Sequence, residues 1–262
     1  MKKLYLVAVP VLLLASSCSR YYYQPNAVNA PMFTNGNQFH IAGSGSSSDY
    51  EVNGDGGKSK KFDLQLAYSP IKHLGVIGNY STWSFRPDVI DFSKAHVDAD
   101  AHLAELGIGG YLTSGQGFSK FVSDLYVGGG AGSIKSDVNM DVRRIFIQPG
   151  IGFRHPIVEV GLNMRISNVK FSNLDDNGRG VGYLEGRNLI DVQRNRNITE
   201  GSHWFWEPAI TTRIGYKFIK AQFQWAFANE ITHVPWNYDG SRFTVGLHLN
   251  VEDIIAMSQG KK

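Results

Sequence analysis

Phe243, Val245, Leu247, Leu249 and Val251 alternate with Thr244, Gly246, His248, Asn250 and Glu252. Successive side chains on a strand point to opposite faces, so this run has one apolar and one polar face. The pattern recurs. Phe62, Leu64, Leu66 and Tyr68 alternate with Asp63, Gln65 and Ala67. Ile145, Ile147, Ile151 and Phe153 oppose Arg144, Gln148 and Arg154, and Val158, Val160, Leu162, Met164 and Ile166 oppose Glu159, Asn163 and Arg165. Ile210, Ile214, Tyr216 and Phe218 oppose Thr211, Arg213 and Lys217, and Phe223, Trp225 and Phe227 oppose Gln222, Gln224 and Ala228.

Ten strands are predicted, at roughly 37–45, 60–70, 73–86, 97–112, 118–133, 142–154, 157–170, 203–218, 220–230 and 242–252. Eight remain if two of these segments are loops. Pro149 and Pro208 each remove a ladder donor, which predicts a bulge or irregularity in their strands. Short turns fall at 69–72, 114–117, 155–156 and 219, and long connections at 46–59, 87–96, 134–141, 171–202 and 231–241. Alternating short and long connections are the habit of outer-membrane barrels, whose turns are periplasmic and whose loops are external. The fold expected is all-β, a single transmembrane antiparallel up-and-down β-barrel spanning 37–252, with both ends on the periplasmic side. Mean hydropathy is only −0.21, but alternation hides apolar residues from that average.

The chain opens differently. Lys2 and Lys3 precede the apolar run Leu4–Leu14, then Ala15, Ser16, Ser17 and Cys18. The run is too short for a permanent span, which needs ~20 residues. It reads as a lipoprotein signal peptide over 1–17 with Cys18 as the lipidated residue. Residues 18–36 are then a lipid-anchored tether, and 253–262 a C-terminal periplasmic tail. Cys18 is the one cysteine, so neither an internal disulfide nor a thiolate cluster is available. Loss of Lys2 and Lys3 leaves 24 Lys+Arg against 23 Asp+Glu. That balance points away from nucleic acid.

The inward positions carry opposite charges. Asp63, Glu105, Asp124 and Glu159 face Arg144, Arg154, Arg165, Arg213 and Lys217 as an expected lumen charge network. Ten strands leave too narrow a bore for a wide channel, so a filled lumen is expected, with a narrow Arg-lined path as the alternative. Inward glycines such as Gly107, Gly128, Gly150 and Gly161 would make room for long side chains from opposite walls.

No catalytic, cofactor or metal site emerges. His96, Asp98, Asp100 and His102 share one strand face about 6.7 Å apart, too spread for one ion, and read as a polar rim. Ser202, His203 and Glu207 are the one local hydrolase-like grouping, but Ser202 and His203, as neighbours, face opposite sides. No second Asp–x–His pair accompanies Asp98 and Asp100, as an omptin-like protease would need. Trp204, Trp206, Trp236 and Tyr238 are expected in an aromatic girdle.

Tyr21-Tyr22-Tyr23-Gln24-Pro25-Asn26 through Pro31-Met32-Phe33, and Leu74-Gly75-Val76-Ile77-Gly78-Asn79-Tyr80, resemble a leader and hairpin of an uncharacterised family. That family comprises outer-membrane β-barrel lipoproteins of Bacteroidota, OmpA/OmpX-like small barrels. The resemblance implies a bacterial outer-membrane location and carries over no catalytic residue. Ser19-Arg20 after the cysteine, in place of acidic residues, favours the periplasmic leaflet. The tether's tyrosines and Phe33 are expected across the periplasmic mouth or in an interfacial belt. The function expected is a non-enzymatic structural or accessory subunit of a larger outer-membrane complex, with outer-membrane lipid and a protein partner. A narrow channel or small-ligand barrel, and then a membrane hydrolase, are the alternatives.

Overall fold

The alternating segments form ten long strands in the computed structural model, which describes residues 21–52, 55–87, 98–216 and 218–258. They are β1 (Gln38–Val52), β2 (Asp55–Ser69), β3 (Leu74–Pro87), β4 (Ala99–Ser114), β5 (Lys120–Lys135), β6 (Asn139–Arg154), β7 (Val158–Asp175), β8 (His203–Tyr216), β9 (Ile219–Phe227) and β10 (Ser241–Asn250). Each pairs antiparallel with its neighbour in sequence. β1 then meets β10 from His40 opposite Asn250 to Gly45 opposite Val245. The sheet therefore closes into an antiparallel up-and-down barrel without a free lengthwise edge.

The burial pattern is inverted relative to a soluble protein. Leu106 is 66% exposed, while Arg165 is fully buried. Ile108, Leu112, Ile145, Ile151, Ile210, Ile214, Phe243 and Leu247 all stand outside. Arg144, Gln148, Glu159, Thr211, Arg213 and Gln224 stand inside. Alternation put each set on its face, as the sequence predicts. Among the described residues no helix is long and apolar enough to cross a membrane.

The connections differ from the prediction in three places. The 46–59 connection is mostly strand, because β1 and β2 pair as far as Val52 and Asp55. The 134–141 connection shrinks to a turn of Ser136–Val138 between β5 and β6. The 171–202 loop is partly ordered: β7 runs to Asp175, α1 (Val181–Gly186) follows, and Ile190–Asp191 pairs with Arg196–Asn197. Neither proline shifts the register. Pro208 stays opposite Met164 of β7, but the β8–β9 ladder lapses there and resumes where Phe205–Trp206 meets Asn229–Glu230. The register shift lies elsewhere, between Asn139 and Asp141.

The last strand ends at Asn250, and the chain turns into α2 (Val251–Ser258) where a tail was expected. Glu252, read as the end of the strand, is instead in the first helical turn. It accepts from Phe39 N at 3.2 Å and from Gln38 at 3.2 Å, and lies 3.2 Å from His40. It thus ties α2 to the start of β1.

Residues 21–36 depart furthest from the tether that was expected. The segment is extended, but it runs through the barrel. Tyr22, Tyr23, Asn26, Ala27, Val28, Asn29, Ala30, Met32 and Phe33 are all buried. Tyr22 sits at the long-loop end, where its N–H donates to Asn237 O at 3.0 Å and its hydroxyl to Asp137 at 3.0 Å. Phe33 sits at the short-turn end, 4.9 Å from the His40 ring and 5.6 Å from Tyr111. The chain therefore descends the whole lumen before β1 begins. Tyr21, the first described residue, stands at the long-loop mouth.

Candidate functional site

Beyond a short backbone bridge of Tyr23 with Tyr238 at its start, the extended segment has no ladder partner, so its backbone groups must be satisfied by side chains. The lumen wall does this residue by residue. Gln224 of β9 accepts from Val28 N at 2.6 Å and donates to Val28 O at 2.8 Å, mimicking a strand. Gln148 donates to Asn29 O at 2.8 Å, and Arg213 to Ala30 O at 2.8 Å. Asn29 returns the contact by donating to Leu66 O at 2.8 Å. Pro25 and Pro31 have no N–H to satisfy, which suits a segment with few backbone acceptors around it.

Asn26 is the centre of the middle layer. Its amide donates to Glu105 at 2.6 Å, and its carbonyl oxygen accepts from Arg144 at 2.5 Å and Arg165 at 2.8 Å. Arg144 also donates Nε–H to Glu105 at 2.7 Å, and Arg165 donates Nε–H to Glu207 at 2.6 Å. Tyr23 hydrogen-bonds to Glu207 and accepts from Arg144 at 2.9 Å. Two carboxylates thus balance two guanidiniums. Towards the short turns, Glu159 takes Arg213 at 3.0 Å, Lys220 at 2.5 Å and Arg154 at 3.2 Å. Towards the long loops, Asp63 takes Arg242 at 2.6 Å and Asp239 takes Lys61 at 2.5 Å.

Of the charges expected in the lumen, Asp63, Glu105, Arg144, Glu159, Arg165 and Arg213 are buried there, and Arg154 lies at its short-turn end. Asp124 faces inward but takes no cation among the described residues, and its Oδ1 is without a hydrogen-bond partner. Lys217 and Cys18 lie outside the described residues. Glu207, Lys61, Lys220, Asp239 and Arg242 complete the network without having been predicted in it. The strand phase would have found most of them, since Glu207 is in step with Thr211 and Arg213, and Lys61 with Asp63. Asn26 and Tyr23 carried no such signal.

The inward glycines do make room for long side chains, one of them from the plug. A side chain at Gly152 or Gly161 would meet the Met32 thioether end at 2.8 Å, and one at Gly107 or Gly128 would meet the Phe146 ring. Met32 adopts φ 50, a left-handed bend in the plug that delivers its sulfur to this gap.

The other motifs do not assemble into chemistry. His203 Nε2 is 3.1 Å from Ile198 O, and Glu207 is committed to Arg165, so the Ser202–His203–Glu207 grouping forms no relay. Asp98 and Asp100 pair with Arg86 at 3.5 and 2.8 Å on the exposed rim, while His96 lies outside the described residues. The girdle expectation splits. Trp204 and Trp206 face outward, but Trp236 is buried and packs edge-on against Phe171 at 5.3 Å and His203 at 5.2 Å, and Tyr238 packs against Phe205. Together with Tyr22, Leu184, Leu189 and Ile198 they form an apolar cluster beneath a folded loop cap.

At the short-turn end, burial pushes the Glu252 carboxyl up, but the His40 hydrogen bond and the Arg154 charge outweigh it. Its pKa is held below the ordinary glutamate value.

No family model and no curated protein sequence matches the chain. Among solved structures it is similar to the translocator domain of autotransporter NalP from Neisseria meningitidis. Identity there is 12%, coverage 82% of this chain and 89% of that one, and the TM-score 0.38. It is also similar to the transport unit of the autotransporter AIDA-I from Escherichia coli, at 13% identity, 86% and 92% coverage and a TM-score of 0.40.

Proposed function

We propose that this chain is a sealed, non-enzymatic barrel of the bacterial outer membrane whose working surface is its loop cap. It serves as a structural or accessory subunit that docks a protein partner there. The observation that carries the reading is the threaded segment Tyr22–Phe33, which fills the lumen and is hydrogen-bonded to it along its length. The apolar exterior supports the membrane setting, since large side chains left in water forgo roughly 1.5–3 kcal/mol each. Polar groups packed inside and apolar groups outside is the arrangement lipid requires.

The anchor is part of the same reading. Cys18 lies three residues before Tyr21, and three residues reach about 10 Å at most. A lipid on Cys18 therefore belongs to the long-loop face, which is the cell surface if the short turns are periplasmic. This reverses the leaflet expected from Ser19-Arg20.

Two measurements test the proposal. Purified protein in planar bilayers is expected to show no conductance steps. A tagged copy extracted in gentle detergent is expected to bring down a stoichiometric partner, which is lost when 176–200 is replaced by a short Gly-Ser linker. Ion conductance by the intact chain, or a partner-free monomer from native membranes, overturns it.

A further inference from the structure

Two cations stand side by side on the outer wall of the barrel. Arg143 of β6 and Lys170 of β7 are directly opposite each other in the ladder, and both are exposed. Side chains so placed have Cβ atoms about 4.5–5.5 Å apart, and like charges there repel. Among the described residues neither forms an ion pair, and the carboxylate next along the outer face of β6, Asp141, accepts from Asn173 at 2.6 Å. Elsewhere on the long-loop rim the same arrangement is answered within the protein. Lys58 and Arg86 are also opposite each other, but Arg86 holds Asp100 at 2.8 Å and Asp98 at 3.5 Å.

The wall beneath the pair is apolar. The next outward row towards the short turns runs Leu106, Gly129, Ile145, Asn168 and Trp204 across β4 to β8. Below it come Val127, Ile147, Ile166 and Trp206. Leu106 and Ile145 stand out on either side of Gly129, so the wall dips between them. Asn168 is the one polar side chain in these two rows, and it lies on the same face of β7 as Lys170, where its amide adds a donor. Cations above, aliphatic side chains and tryptophans below, is the profile of a membrane boundary.

We propose that Arg143 and Lys170 hold the phosphate of one lipid headgroup in the leaflet at the long-loop end, with its acyl chains lying on the rows below. A guanidinium presents a planar fork to two phosphate oxygens, and the ammonium adds a point charge. An anion between the two cations turns their repulsion into a shared attraction. A free anion would satisfy the cations and leave the apolar rows unused. A lipid without net charge would cover the rows and leave the cations facing each other. The inference rests on the membrane setting proposed above, and is independent of the plugged bore and of the partner.

The test uses the full chain in neutral maltoside detergent, with bound lipid counted by native mass spectrometry. Dioleoyl phosphatidic acid is expected to bind more tightly than dioleoyl phosphatidylcholine, whose phosphate is balanced by choline. Arg143→Gln combined with Lys170→Gln is expected to weaken phosphatidic acid about tenfold. Lys58→Gln combined with Arg86→Gln removes the same charge at the same end, and is expected to bind as the parent does. The first pair of substitutions relieves a repulsion, so its urea transition is expected no earlier than the parent's. Equal binding of the two lipids, no loss in the first double variant, or equal loss in both overturns the site. Displacement of the lipid by equimolar inorganic phosphate overturns it too, by showing a site for a free anion. Flotation with phosphatidylcholine vesicles is scored alongside: a chain that inserts without preferring phosphatidic acid condemns this site and leaves the membrane setting standing.

Discussion

Glu207 concentrates the energetics of the lumen in one side chain. It accepts from Arg165 at 2.6 Å and Ser167 at 2.6 Å, hydrogen-bonds to Tyr23, and is fully buried. Removing one partner of a buried ion pair leaves the other uncompensated, typically at a cost of about 3–5 kcal/mol. Glu207→Ala is therefore expected to lower the unfolding free energy of the detergent-solubilised barrel, read from its urea transition, by that amount, with Glu207→Gln in between. An unchanged midpoint would show that Arg165 finds another partner. Asn26→Ala should cost about 1–3 kcal/mol by the same assay, because two guanidiniums lose an acceptor together. The members of this cluster were unequally legible in the sequence. Arg144, Arg165 and Glu105 were legible because each sits on the polar phase of an alternating strand. Asn26 was not, because its segment has no period and every one of its partners is more than 70 residues away. Which guanidinium meets which carboxylate depends on strand register, and alternation alone does not encode register.

Among the strands, β4 and β5 come together through glycine. A side chain at Gly109 would stand 2.0 Å from the Leu125 carbonyl oxygen, whereas one at Gly43 would meet nothing within 4 Å. Gly109→Ala is expected to destabilise by about 1–3 kcal/mol, since backbone has to move. Gly43→Ala should be close to neutral. Equal midpoints for the two variants would contradict this geometry. The helix α2 offers a pH test. The Glu252 carboxyl is held below its ordinary value in the folded state, so its contribution is complete above the unfolded pKa of about 4.3 and fades as pH falls through the folded one. The gap in stability between the parent and Glu252→Gln should be widest near neutrality and close on acidification. A gap that grows in acid would reverse the sign of the argument. The strands themselves were readable from a two-residue period. The helix was not, because Val251 and Glu252 continue the alternation of β10 and nothing in that pattern marks its end.

For the whole molecule, lumen and plug form one structure. The wall's charges are balanced against each other, and its amides are matched to the backbone of the plug. A variant in which Gly-Ser repeats replace 22–33 should expose Arg144, Arg165 and Arg213 to water. It is expected to unfold at markedly lower urea and to pass small ions in planar bilayers. If it stayed as stable as the parent and silent, the wall alone would close the bore. The plugged state was hidden from the sequence for a physical reason: a Pro- and Asn-rich extended stretch looks the same whether it crosses water or a polar lumen.

The direction of that threading bears on how the molecule is built. The chain passes through a ring that is closed by its own first and last strands. If the amino-terminal end carries a group too bulky for the bore, the ring has to form around a segment already in place, before β1 finds β10. Once the last pair has formed, a bulky group at that end acts as a stopper, like the end of an axle in a wheel. The plug could then be lost only by reopening the seam, not by sliding out.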